Sequence, residues 1–314
     1  MLCMAVFAFY YADRIAAAVN SGNFTDAAIL NFKRITGLLD FSFKAIALNI
    51  ALVIASLLIE LFFLGWQNSS LKRLLKPSGT AAGDLWCWLL SVLYLYRIFV
   101  LIFSFGIFYV LTSFLVNRFH FDLLSKVPSV ISFVILLVLS DLKHYVRHLI
   151  THKVGFLWEL HKYHHSAIEM NMVTAQRGHF LEAAFISFFD SLLFILLGAP
   201  AEMYLTLIAF REMHVMFVHS NVNWNWGWVG EYILVSPRAH VLHHSAAPRH
   251  FDSNYGSMFI FWDRLFKTWN NPKLETEKIV IGLPENPFNK NGFFTDMILG
   301  YKHFLNRLLP DKKG

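Results

Sequence analysis

The 314 residues contain only two cysteines, Cys3 and Cys87. They form no CxxC and no zinc-ribbon spacing, which excludes a disulfide framework and a thiolate metal cluster. Charge is scarce as well. Asp, Glu, Lys and Arg make up 15% of the chain, against about 25% in average soluble domains. There is no internal repeat at a fixed period and no low-complexity tract. This composition argues against a disordered chain, a nucleic-acid-binding basic arm and an ordinary cytosolic enzyme. The N-terminus is apolar but has no basic n-region, and Asp13 and Arg14 interrupt it. It therefore reads as a membrane-associated helix rather than a cleaved signal peptide.

What is present in excess is apolar surface: 56% of residues are hydrophobic and 17% aromatic, with 32 Phe. Phe43 to Trp66 is broken only by Lys44, Asn49 and Glu60, enough to span a bilayer core of about 20 residues. Gln67 to Asp84 is polar and rich in Gly and Lys, and reads as a loop. Leu85 to Val116 is apolar except for Arg97. It is too long for one straight span, so it reads as a tilted helix or a span plus an interfacial piece. Val127 to Ser140 is short for a crossing, which implies a helix continuing past Asp141. Phe180 to Gly198 and Met203 to Val218 read as a membrane hairpin. Trp224, Trp226 and Trp228 suit an interface. Phe294, Met297, Ile298, Tyr301, Phe304, Leu305 and Leu308 recur at helical spacing, with Asp296, Lys302, Asn306 and Arg307 on the other side. They predict an amphipathic helix on the membrane or on the domain.

The expected fold is an all-α integral membrane protein. It has about four transmembrane or re-entrant helices and a cytoplasmic helical cap carrying the histidines. The expected divisions are an interfacial region over 1–42, transmembrane helices over 43–140, a catalytic domain over 141–268 that includes the hairpin 180–218, and a tail over 269–314. Lys72, Arg73 and Lys76 place their loop in the cytoplasm by the positive-inside rule. The basic residues after Asp141 return to the same side. The net charge of +6 suits anionic lipid.

Fifteen histidines are distributed unevenly. Only His120 precedes residue 144 and only His303 follows residue 250. Between them lie His148 and His152, four apart, and the HxxHH of His161, His164 and His165. His214 and His219 follow, then a second HxxHH at His240, His243 and His244. Residues at i, i+3 and i+4 share a helix face, so each box can aim its imidazoles at one point. Three His suffice for one catalytic zinc. Eight or nine exceed the needs of one ion and fit two. Single histidines such as His120, His250 and His303 read first as packing or interfacial residues. Eight clustered imidazoles do not, because unpaired buried polar groups cost about 2–7 kcal/mol each.

In this order the boxes resemble those of the fatty acid hydroxylase and sterol desaturase superfamily, the integral-membrane di-iron oxygenases. The resemblance also includes Asp141, Trp158, Ser166, the HSN of His219 to Asn221, the DSNYG of Asp252 to Gly256 and the WDRLFKT of Trp262 to Thr268. The last two motifs look most like the alkylglycerol monooxygenase-like and bacterial sterol-desaturase-like branches. The resemblance implies ligands at His148, His152, His161, His164, His165, His219, His240, His243 and His244. It also implies two Fe2+ ions, O2 as co-substrate, a lipid substrate, and a separate electron donor of cytochrome b5 or ferredoxin/reductase type.

Further candidates for ligating, or for supporting a ligand, are His144, His179, His214, Asp141, Asp252, Asn254, Tyr255 and Asp263. Asp141 and Asp263 suit the second N–H of a ligand imidazole, or else a cap or an ion pair. Asp252, Asn254 and Tyr255 read as a turn beside the third box. Glu60 and Arg97 lie in apolar spans, where ionisable groups are costly. Two other readings compete. A zinc-dependent membrane hydrolase would need a carboxylate base beside the boxes, as in HExxH, and no box contains one. A non-catalytic metal- or haem-binding membrane protein would leave most of the histidines unexplained.

Overall fold

The structure is a computed structural model that describes residues 43–93, 95–104, 107, 111, 114, 118, 123–124, 127–197, 201–220, 222–274 and 278–309. The expected N-terminal helix, His120 and Asn221 lie outside these residues. The described part is helical: α1 Phe43–Asn68, α2 Ser70–Leu75, α3 Gly79–Val92, α4 Leu95–Ser104, α5 Ser129–Lys153, α6 Gly155–His165, α7 Phe180–Leu197, α8 Ala201–Val218, α9 Gly227–Tyr232, α10 Pro237–His243, α11 Phe261–Leu265 and α12 Phe293–Leu308. Among the described residues β-pairing is limited to two isolated bridges, Leu234 with Phe259 and Ser245 with Ile281.

Among the described residues two helices are long and apolar enough to cross a membrane, Asn49–Asn68 within α1 and α5 itself. Both carry large apolar side chains that are mostly exposed. Phe62 is 84% exposed on α1 and Val130 is 77% exposed on α5. Such surface is costly in water and suits lipid. Helix α5 runs unbroken from the apolar Ser129 end into the first pair of histidines. Helices α7 and α8 have 18 residues each.

The chain divides into two compact units. One takes its described residues from Met1–Ile50, Leu89–Lys143 and Ala183–Ala209, the other from Ala51–Trp88, His144–Glu182 and Phe210–Gly314. In the first unit the ammonium of Lys143 on α5 pairs with Asp190 on α7, so neither charge in these apolar helices lacks a counter-charge. In the second, Val53 and Leu57 of α1 pack with Met172, Val173 and Met216.

The second unit corrects part of the reading of Gln67 to Asp84 as a loop. Its polar residues build α2 and the start of α3. Ser69 caps α2 by accepting the N–H of Lys72. Glu60, buried on α1, accepts the Ser70 backbone N–H at 2.7 Å and the Ser70 hydroxyl at 2.8 Å. That contact accounts for the acidic residue within an apolar span. Within the long apolar stretch from Leu85, α3 ends at Val92 and α4 starts at Leu95.

Helix α12 packs on α6 of the same unit. Phe293, Met297 and Gly300 are buried, and so is Asp296, which the sequence pattern places on the polar side. Asp296 accepts the Asn289 backbone N–H at 2.9 Å, so its burial is compensated. Gly300 is required by close approach, since a Cβ there would lie 2.9 Å from the His179 ring.

Candidate metal centre

The second unit gathers nine imidazoles into two groups. One holds His148, His152, His161, His165 and His243. The other holds His164, His219, His240 and His244. Within each group the ring nitrogens lie within 4.8 Å of one another. Helix α5 supplies His148 and His152, α6 ends in His161, His164 and His165, and α10 carries His240 and His243, with His244 as its C-cap. His219 follows the last residue of α8. Ser236 caps α10 by accepting the Ala239 N–H, and Pro237 starts its first turn, a pre-organised helix start.

The boxes do not each aim at one point, as their spacing suggests. His161 and His165 join the five-histidine group, while His164 between them joins the group of four. In the other box His240 and His244 join the group of four and His243 crosses to the five. Positions i and i+4 share a direction. The neighbour of the i+4 residue is rotated by about 100°, because a turn takes about 3.6 residues. Each box therefore feeds both groups.

The hydrogen bonds fix the tautomers. His148 donates from Nδ1 to the Tyr255 carbonyl at 2.9 Å, His164 to the Arg177 carbonyl at 2.9 Å, His219 to the Val215 carbonyl at 2.7 Å and His243 to the Ser253 carbonyl at 2.8 Å. His161 donates from Nδ1 to Glu182 Oε1 at 2.5 Å. Carbonyl and carboxylate oxygens accept, so in all five rings Nδ1 carries the proton and Nε2 presents a lone pair. Those lone pairs face one another. His148 Nε2 lies 3.1 Å from His243 Nε2 and 3.2 Å from His161 Nε2, and His164 Nε2 lies 3.4 Å from His219 Nε2. Two acceptors cannot share a hydrogen bond, so these contacts call for a cation between them. Nitrogens bound at about 2.1 Å to one ion sit about 3 Å apart at right angles, which is the spacing found. Glu182 adds to the case. It is buried, and its Oε2 has no hydrogen-bond partner among the described residues. An anion in that state needs positive charge nearby.

Burial, reinforced by the neighbouring imidazoles, holds His164, His165, His240 and His244 well below the usual imidazole pKa. Burial also pushes His243 down to about 3 and His219 to about 4. All six are neutral at pH 7, the form that binds a metal. The residues present fit two metal ions held by imidazole.

The remaining candidates surround this centre or lie apart from it. Asp263 accepts the backbone N–H groups of Tyr255 and Gly256, both at 2.8 Å, and the Thr268 hydroxyl at 2.7 Å. It thereby shapes the turn whose Tyr255 carbonyl orients His148. Asn254, at φ 57°, accepts the Asn270 N–H and donates to the carbonyls of Ala239 and Asn270. Asp252, at φ 59°, accepts from the Tyr255 hydroxyl and from Lys153, both at 2.8 Å. Asp141 is buried in the first unit. His144 is outside both groups, with its Nδ1 2.9 Å from Arg147 Nη2. His214 is outside them too, its ring 5.8 Å from Trp226. His250 Nδ1 bonds to the Ser245 hydroxyl at 2.8 Å.

His179 is held by the C-terminal helix. Its Nε2 donates to the Met297 carbonyl at 2.6 Å and its Nδ1 accepts the Leu181 N–H at 3.1 Å. With both nitrogens committed, protonation would break the second bond, and burial depresses the pKa to about 4. Between about pH 6.5 and pH 4 the unfolded chain thus binds more protons than the native one. The contribution of this contact is present above pH 6.5 and is lost as pH falls through 4. Amide exchange in α12, corrected for intrinsic rate, is expected to be faster at pH 4.5 than at pH 7, and His179→Gln is expected to flatten the difference.

Sequence reasoning gave no role to Glu182, or to the buried pair of Asp84 and Arg177, whose carbonyl orients His164. The available signal was a lone carboxylate two residues into an apolar helix, three residues after His179.

Residues 133–268 match the fatty acid hydroxylase family model. This segment is similar to the fatty acid hydroxylase family. It contains all nine histidines of the two groups, and Glu182. Among curated proteins the chain is similar to an alkylglycerol monooxygenase of Caenorhabditis elegans, 30% identical over 155 residues, or 49% of this chain and 30% of that protein. It is also similar to an ornithine lipid hydroxylase of Rhizobium tropici, 30% identical over 145 residues, or 46% of this chain and 44% of that protein. A third relative is human cholesterol 25-hydroxylase, 31% identical over 144 residues, or 42% of this chain and 48% of that protein. The matched stretch thus spans less than half the length of each of these relatives. No solved structure gives a significant match.

Proposed function

We propose that this chain is a membrane-bound di-iron oxygenase that hydroxylates, or desaturates, a C–H bond of a lipid. The observation that carries the reading is the pair of imidazole groups with inward lone pairs, lying in a fatty acid hydroxylase segment. Iron at these sites would supply O2 activation and C–H oxidation, with electrons from a separate cytochrome b5-like or ferredoxin/reductase donor. The work of the protein is to hold and orient. Tyr255, Ser253, Arg177 and Val215 fix four ligand tautomers through their carbonyls, and Glu182 fixes a fifth. The neutral rings would leave the charge of the ions uncompensated, since no carboxylate belongs to either group. Apolar side chains exposed on α1 and α5 give a lipid a route that avoids water.

In this reading residues 43–140 and the hairpin 180–218 supply about four transmembrane or re-entrant helices. The histidines sit on the cytoplasmic face, and 269–314 form a tail that closes over the domain. The nine ligands are those of the two groups, and His144, His179 and His214 are not ligands. Metal analysis of purified protein is expected to find two irons per chain. Comparative lipidomics of cells with and without the gene is expected to find a lipid that gains one oxygen or loses two hydrogens. One stable zinc per chain, with product unaffected by His164→Ala, would overturn the reading. A tag near residue 75 that proved extracytoplasmic would overturn the topology.

A further inference from the structure

We infer that Asp84 and Arg177 form a buried clamp that positions the histidines at the C-terminal end of α6, and above all His164 of the four-histidine group. Asp84 lies outside residues 133–268, so a residue beyond the family segment controls one metal site inside it. The inference rests on the two-metal reading above.

Arg177 closes the 3-10 turn Met172–Gln176, and its side chain is fully buried. Every guanidinium donor finds an acceptor. Nε donates to the Tyr163 carbonyl at 2.8 Å. Nη1 donates to the Thr80 carbonyl at 3.1 Å and to Asp84 Oδ1 at 3.0 Å. Nη2 donates to the Ser166 hydroxyl at 2.8 Å and to Asn289 Oδ1 at 2.5 Å. The guanidinium also lies over the Tyr163 ring, 4.0 Å from its centre. Tyr163 and Ser166 bracket His164 and His165, so Arg177 grips the C-terminal end of α6 on both sides of this histidine pair. Carbonyls at a helix C-terminus lack intrahelical donors and attract positive charge.

The Arg177 carbonyl meanwhile accepts from His164 Nδ1 at 2.9 Å. The same residue thus holds the helix by its side chain and the imidazole by its backbone. Asp84 holds Arg177 in register. Its Oδ2 accepts from Asn171 Nδ2 and from the Thr174 hydroxyl, both at 2.7 Å, which ties the 3-10 turn to the carboxylate that faces the guanidinium. The backbone allows no slack: a Cβ on Gly83 would lie 2.6 Å from Arg177 Nη1 and 2.8 Å from the Tyr163 hydroxyl. The five-histidine group has its own support in Glu182, which reaches His161. The two metal sites therefore have separate anchors.

Asp84 and Arg177 are positioning residues, and the test must separate positioning from stability. Purified protein is loaded anaerobically with Fe2+, and the two ions are then withdrawn by chelator titration while Mössbauer spectra are recorded. Wild-type protein should hold two ions. In Asp84→Asn one ion should leave at about 10–100-fold lower chelator, the range for loss of a residue that supports a ligand, and half of the iron signal should change. Glu182→Gln should shift the other half. Arg177→Lys keeps a charge opposite Asp84 but loses the planar fork, and gives the same selective shift if Asp84→Asn does not fold. Leu136→Ala, a truncation of a fully buried side chain on α5 that touches no residue of the clamp's turn, should lower the melting temperature and leave both ions in place. Equal release of both ions in Asp84→Asn and in Arg177→Lys, or of neither, overturns the clamp even where wild type binds two. Fewer than two ions in the wild type overturns the two-metal reading itself, and the clamp with it.

Discussion

Replacing His148 by alanine is expected to strip the five-histidine group of its metal and to lower product formation by more than about 100-fold, beyond the 10–100-fold range for residues that only support a ligand. His148 is the hub of that group. Its Nε2 lies 3.2 Å from that of His161 and 3.1 Å from that of His243. Its Nδ1 is locked by the Tyr255 carbonyl, so the ring cannot turn away. The substitution leaves that carbonyl unpaired at a cost of about 1–3 kcal/mol, which a folded domain can survive. Loss of metal from folded protein is the diagnostic result, measured as iron per chain alongside a thermal melt. His144→Ala is the matched control. His144 lies one turn earlier on α5 and outside both groups, so its variant should keep two irons. Metal retained in His148→Ala, or lost equally in His144→Ala, would count against the assignment.

The second large effect is expected at Glu182. Its Oε1 receives the Nδ1–H of His161 at 2.5 Å, and a carboxylate there makes the opposite nitrogen a stronger donor to a metal. Glu182→Gln keeps an acceptor for that bond and removes the charge. The five-histidine group should then bind its ion about 10–100-fold more weakly, read by competition with a chelator. Glu182→Ala should weaken it further, because His161 loses the partner that holds its ring and tautomer. Unchanged affinity in Glu182→Gln would show that the contact sets geometry only, and unchanged affinity in Glu182→Ala would remove its role altogether.

Both effects turn on features that differ in how far they can be read from sequence. The helices at Phe43–Asn68 and Ser129–Lys153 were legible because apolar runs of that length have few alternatives to a helix in or near lipid. The α2 and α3 segment was not. Its Lys, Gly and Ser content signals a loop, yet Glu60, Ser69 and the Asp84 network give its polar groups buried partners. Those partners come from far along the chain. Asp296 was misplaced for the same reason. A carboxylate pattern cannot show that a backbone N–H, here that of Asn289, awaits it.

The sequence by itself determined that imidazoles, and not thiolates, would hold any metal, because two cysteines cannot and spacings of three and four residues bring histidines onto one helix face. Its resemblance to a known family implied nine of the histidines as ligands and left His144, His179 and His214 open. Only the tertiary structure decided how they divide into five and four, with each HxxHH box giving one histidine away. Adjacent helical residues point about 100° apart, so where His164 and His165 aim depends on where α5, α8 and α10 lie around them. The tertiary structure alone also chose the acceptors that fix the rings. Four are backbone carbonyls, which every residue possesses and no sequence pattern can mark.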